Sequence, residues 1–134
     1  MVIGPRYLLD TTVLVDHALG QYGAEELLLR LFGETGDIFT CDAVVAEALT
    51  GGTDEERRVI EHLVDALEYV STSPAAAREA AAFRRDRGRT GRRHLGDAIV
   101  AGVAISLGAT IVTRNARDFA GLAVPVLSYE TTSA

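Results

Sequence analysis

Tyr7-Leu8-Leu9-Asp10-Thr11-Thr12-Val13-Leu14-Val15 opens as an apolar strand, breaks at a carboxylate followed by two hydroxyl residues, and resumes its apolar pattern at helical spacing. In an α/β protein, a strand that ends in Asp before a helix puts the carboxylate at the carboxyl edge of the sheet, where ligands bind. Asp10 or Thr12 could equally cap the helix that follows, since both residue types are good N-caps. Elements elsewhere in the chain must decide between the two readings.

Working outward, short strands alternate with helices. Strands read at Arg6–Leu9, Ile38–Cys41, Tyr69–Val70, Ala109–Val112 and Val124–Leu127, the last held to an edge by Pro125. Helices read at Thr12–Leu19, Ala24–Phe32, Ala43–Leu49, Asp54–Ala66, an Ala-rich stretch from Pro74 to near Gly88, and Leu95–Leu107. Thr53 with Glu56 forms a capping-box pattern, Ser73-Pro74 is a cap followed by a first-turn proline, and Asp42 is placed to cap the third helix. Gly88–His94 reads as a loop, Ala116–Phe119 as at most one helical turn, and Thr131–Ala134 as a loose tail. Alternation of this kind implies a central parallel sheet of about five strands with helices on both faces, a three-layer α/β sandwich. With the first strand central, right-handed crossovers give the order 3-2-1-4-5. The switch point then falls between the first and fourth strands, so Asp10 and Thr113-Arg114-Asn115 leave the sheet side by side. No repeat or linker divides the 134 residues, which read as one domain over 1–134.

Composition narrows the partners. Hydrophobic residues make up 48% and charged residues 24%, and no apolar run suits a membrane span or an export signal, so the reading is a cytoplasmic protein without membrane attachment. One cysteine, Cys41, allows no internal disulfide and reads as a small buried residue. The net charge is −6, yet all 13 basic residues are Arg, and six crowd into Arg84, Arg85, Arg87, Arg89, Arg92 and Arg93. An acidic body with one basic segment suggests a local grip on an anionic partner.

Most acids have ordinary surface roles, and Glu25, Glu26, Asp54, Glu55 and Glu56 sit in first helical turns, where they complement the helix dipole. Glu47 in Ala43-Val44-Val45-Ala46-Glu47-Ala48-Leu49 and Asp97 in Leu95-Gly96-Asp97-Ala98-Ile99-Val100 do not fit that pattern, because their neighbours are almost all apolar. A charge in such a run is costly to bury unless paired or bound to a cation. Both sit near the starts of helices expected to leave the same sheet edge as Asp10. Three converging carboxylates with no Lys would repel one another, and a hard divalent cation, Mg2+ or Mn2+, resolves this. Scattered His17, His62 and His94 give no zinc pattern.

Four segments in order, LLDTTVLVD (8–16), VVAEAL (44–49), GDAIVAGVA (96–104) and IVTRNARDF (111–119), make the chain resemble the PIN-domain ribonucleases of the VapC toxin type. The resemblance implies a metal-binding active site of Asp10, Glu47 and Asp97. A fourth polar group would come from the last motif, which carries Asn115 where many relatives have Asp, with Asp118 one turn on. It further implies supporting contacts from Thr12 and Thr113. The Arg segment immediately precedes the helix that carries Asp97, so Arg89, Arg92 and Arg93, with Arg114, are expected at the rim of the crevice as a grip on RNA. The implied activity is Mg2+- or Mn2+-dependent RNA cleavage, silenced by a cognate VapB-type antitoxin, in a protein that forms homodimers. Two other readings compete. A haloacid-dehalogenase-like phosphotransfer enzyme would want an Asp in place of Thr12 and a Lys. A non-catalytic PIN-like interaction module is favoured by Asn115.

Overall fold

The computed structural model describes residues 4–88 and 94–129. The elements run β1 (Tyr7–Leu9), α1 (Thr11–Leu19), α2 (Ala24–Glu34), β2 (Ile38–Cys41), α3 (Asp42–Ala48), α4 (Asp54–Asp65), β3 (Glu68–Val70), α5 (Pro74–Asp86), α6 (Leu95–Leu107), β4 (Thr110–Thr113), a 3-10 turn (Ala116–Phe119) and β5 (Val126–Ser128). All strand pairs are parallel, and the order is β3-β2-β1-β4-β5, as the alternation of elements predicts. Leu8 pairs with Phe39 on one side and Ile111 on the other, so β1 lies at the centre.

A central strand covered on both faces needs consecutive apolar residues rather than alternation. Leu8, Leu9, Ile111 and Val112 are fully buried, and Ile38, Phe39 and Cys41 extend the same core. Helix α5 packs along α6, while α1 packs against α3 and α4. The α5–α6 contact is close because α6 carries Gly102: a Cβ built there would lie 2.3 Å from the carbonyl oxygen of Ala76 and 3.3 Å from the amide nitrogen of Ala80. The Ala-rich face of α5 and this glycine bring the two helix backbones together. The Thr53–Glu56 capping box forms with both reciprocal bonds, and the Ser73 hydroxyl accepts from the Ala76 N–H. Gly20 and Gly108 close α1 and α6 with φ of 64° and 63°, left-handed values that favour glycine.

Several boundaries differ from expectation for identifiable reasons. The fourth strand begins at Thr110 and reaches Thr113, because the Ala109 N–H is used to close α6 on the Ala104 carbonyl. The fifth begins at Val126; Pro125 has no N–H to give, and contributes only a carbonyl that accepts from the Ile111 N–H. Asp42 does not cap α3. It is the first helical residue, and its carboxylate instead accepts from the Tyr69 hydroxyl at 2.6 Å and the Thr72 N–H at 2.9 Å, tying α3 to the strand next to it. The expected tail at Thr131–Ala134 and most of the Gly88–His94 loop lie outside the described residues.

The Gly102 contact generates a prediction. Alanine in place of glycine within a helix ordinarily gains about 1 kcal/mol. Gly102→Ala should instead cost about 1–3 kcal/mol through overpacking against the α5 backbone. Chemical denaturation checks it, and a variant as stable as the parent would contradict the close helix contact.

Candidate active site

Asp10 follows β1 at the N-cap position of α1, but its side chain makes no cap bond. Its N–H donates to the Val112 carbonyl at 2.9 Å, extending the sheet by one residue. The carboxylate turns instead towards β4, where Oδ2 accepts from the Thr113 hydroxyl at 2.8 Å. Only 6% of Asp10 is exposed. The geometry therefore decides against the capping reading. Burial pushes the Asp10 carboxyl up to about 6; the Thr113 hydroxyl and the Thr11 backbone N–H oppose the rise, and the negative charges of Asp97 and Glu47 add to it. Both other acids thus act on Asp10 through space.

Thr113 is fully buried and organises the edge. Its Oγ1 accepts from the Asn115 N–H at 3.0 Å and lies 3.4 Å from the Thr12 hydroxyl, whose oxygen accepts from the Arg114 N–H at 3.0 Å. Thr12 and Thr113 therefore knit the first turn of α1 to the turn after β4. Asp97 occupies the first turn of α6, with Oδ2 3.4 Å from His94 Nδ1. His94 is the N-cap residue, in a left-handed conformation at φ 60°. Asp97 and Asp118 line one cleft together with Phe83, Arg84, Arg87 and Leu122. Asp118 lies in the 3-10 turn; its N–H donates to the Asn115 carbonyl at 3.0 Å, and its own carbonyl accepts from Arg87 at 3.4 Å. Asn115 is exposed.

Glu47 differs from expectation in two respects: it sits in the last turn of α3, not near its start, and it is exposed, so its charge bears no burial cost. The carboxylate still returns to the sheet edge, where Oε2 accepts from the Thr11 hydroxyl at 3.2 Å and Oε1 lies against Gly96, the residue before Asp97. Among the described residues no three His, Cys, Asp or Glu side chains converge into a ready-made cation cage. Each of the three carboxylates has its own partner instead: Thr113, Thr11 and His94. An oxygen-only, loosely gathered donor set fits Mg2+, which keeps several waters and is held by one or two carboxylates together with substrate phosphate.

A further acid at this edge escaped the reading of the sequence. Asp16, 1% exposed on α1, accepts from Arg114 Nε at 2.7 Å and Nη2 at 3.3 Å, and from the Tyr129 hydroxyl at 2.7 Å. The Arg114 guanidinium also stacks over Tyr22, 4.1 Å from the ring centre. The rule that singled out Glu47 and Asp97 could have found it, since Asp16 follows Val13-Leu14-Val15. Thr11 and Gly96 gave no signal, because what they touch is set by tertiary contact. Arg89, Arg92 and Arg93 lie outside the described residues.

Two buried acids, then, sit in opposite environments, and substitution should separate them. The Asp10 pKa is raised in the folded state, so its ionisation costs stability that is lost as pH rises from about 4 to about 6. Asp10→Asn should stabilise the metal-free protein by roughly 1–3 kcal/mol at neutral pH. The advantage over the parent should open between pH 4 and 6 and stay flat above. Asp16→Asn weakens a bidentate ion pair and should cost up to about 3 kcal/mol, the low end for a buried pair because Arg114 keeps some solvent contact. Thermal denaturation across pH checks both; equal signs for the two variants would refute the assignment.

Residues 7–125 match the sequence model of the PIN domain. Two curated relatives come from Mycobacterium tuberculosis. Ribonuclease VapC19 is 31% identical over 114 residues, spanning 84% of this chain and 90% of the relative. Ribonuclease VapC11 is 34% identical over 118 residues, spanning 84% and 87%. A toxin–antitoxin complex from Klebsiella pneumoniae contains a chain of the same fold, with a TM-score of 0.75 at 21% identity over 94% of this chain and 99% of that one. The parallel sheet, the acid at its switch point and these matches agree: the chain belongs to the PIN-domain family, among the VapC ribonucleases.

Proposed function

We propose that this protein is a metal-dependent endoribonuclease toxin, inhibited by a cognate VapB-type antitoxin. The observation that carries the reading is Asp10, a carboxylate buried at the switch point, fixed by Thr113 and within electrostatic reach of Glu47 and Asp97. A protein gains nothing in stability from such a charge, so its presence points to chemistry. Asp10, Glu47 and Asp97 would hold Mg2+ or Mn2+, which supplies Lewis acidity for the attack of water on a phosphodiester. Thr113 keeps Asp10 oriented, and Thr12 fixes the turn that follows β4. Asp118, which shares the cleft with Asp97, is the better placed fourth acid; Asn115 would orient solvent or substrate at the rim.

RNA beside clustered carboxylates needs cations at the rim. Arg84 and Arg87 line the cleft, and Arg89, Arg92 and Arg93 follow them in the chain. Guanidinium groups suit the task because they bind phosphate in bidentate fashion and stack on bases. Arg114, expected to join them, has its guanidinium engaged by Asp16 and Tyr22, and in this reading it holds the turn after β4. For the antitoxin, an apolar groove lined by Val15, Ala18, Leu19 and Ile60 runs up to Glu47. A partner segment with apolar residues and a terminal Arg or Lys would fill the groove and neutralise the acids. A homodimer in the cytoplasm completes the proposal.

Asp97→Asn keeps the side-chain shape and removes a charge. Cleavage of RNA should fall by more than about a hundredfold, beyond the loss usual for a residue that only supports a ligand, and excess EDTA should abolish the parent's activity. Full activity under either condition would defeat the proposal. Absence of any turnover with Mg2+ or Mn2+ would favour the interaction module that Asn115 first suggested. Arg89, Arg92 and Arg93 changed together to Ala should weaken binding to single-stranded RNA and flatten its salt dependence by about 0.7 in slope per lost phosphate contact, with an unchanged slope counting against the rim assignment.

A further inference from the structure

Glu47 reaches the site from a helix that carries no other acid of the group, and it is exposed. A long side chain in that position loses rotamer freedom when it is held in one place. Two contacts hold it. The Thr11 hydroxyl donates to Oε2 at 3.2 Å. Oε1 occupies the space that a side chain on Gly96 would take: an ideal Cβ there would lie 2.2 Å from Oε1 and 3.4 Å from Cδ of Glu47, with nothing else close by among the described residues.

The backbone does not require glycine at this position. Unlike Gly20 and Gly108, Gly96 has no left-handed φ, and it lies in the first turn of α6, where glycine is a poor helix former. Its use there is the absence of a side chain. We infer that Gly96 and Thr11 are positioning residues for Glu47, together setting the direction in which its carboxylate faces Asp10 and Asp97. This rests on the proposal that Glu47 helps to hold a divalent cation. A side chain at 96 would push the carboxylate away from the N-terminus of α6 while leaving both helices in place, because among the described residues the only atoms met belong to the end of the Glu47 side chain.

Isothermal titration with Mn2+ on the parent, Glu47→Ala, Gly96→Ala and Thr11→Val tests the inference. Gly96→Ala should keep or exceed the parent's metal-free melting temperature and lose about tenfold or more in Mn2+ affinity, the range for residues that orient a ligand. Its loss should approach that of Glu47→Ala. Thr11→Val, which leaves Gly96 untouched, should shift affinity in the same direction. Parental affinity in Gly96→Ala or in Thr11→Val, with Glu47→Ala weakened, would overturn the inference. Undiminished Mn2+ binding by Glu47→Ala would instead remove Glu47 from the cation site and take the inference with it.

Discussion

The hydrogen bond from the Thr113 hydroxyl to Asp10 joins the ends of the two strands on either side of the switch point, and the rest of the site depends on it. A carboxylate in that position has lost most of its water, and among the described residues it gains one side-chain donor, Thr113, and the Thr11 backbone N–H in return. The balance leaves Asp10 closer to neutral than an acid in solution. The surrounding contacts follow from the same bond. Thr113 must be oriented to donate to Asp10, so its lone pairs face the Asn115 N–H, and the turn after β4 is drawn in against Thr12. A strand end, a helix start and a turn are thus fixed by hydroxyl groups rather than by bulk.

The second buried acid solves the opposite problem. Asp16 is surrounded by donors, two from Arg114 and one from Tyr129, so it has no need of a cation from solvent. Six residues apart on the same segment, one carboxylate is under-satisfied and the other saturated. That contrast separates a group held ready for chemistry from one that holds the frame, and burial alone does not make the distinction: Asp10 and Asp16 are 6% and 1% exposed.

Much of this was readable from the chain. Helix α6 has the bounds that its apolar pattern and Gly108 announce, and the capping box at Thr53 and the cap at Ser73 form as their spacing indicates, because local chemistry sets all three. The strand order followed from alternation and chain connectivity. What the sequence hid was decided by distant partners. Asp42 looks like a cap and was claimed by Tyr69 and Thr72, about thirty positions away. Glu47 was recognised as misplaced, but its position in the final turn of α3 depends on that helix starting at Asp42 and ending at Ala48. Gly96 resembles any glycine before an acid until the carboxylate from another helix is seen to fill its missing side chain.

The central place of β1 also sets an order of events in time. Asp10 and Thr113 are 103 positions apart, and β1 pairs with β4 over a comparable separation. Pairing of this kind is slow because a long loop must close before any contact repays it. During synthesis at about 5–20 residues per second, the first acid waits on the order of 5–20 s for the hydroxyl that orients it. A chain still emerging from the ribosome therefore carries the first carboxylate of the site before the strand and hydroxyl that complete its surroundings have been made.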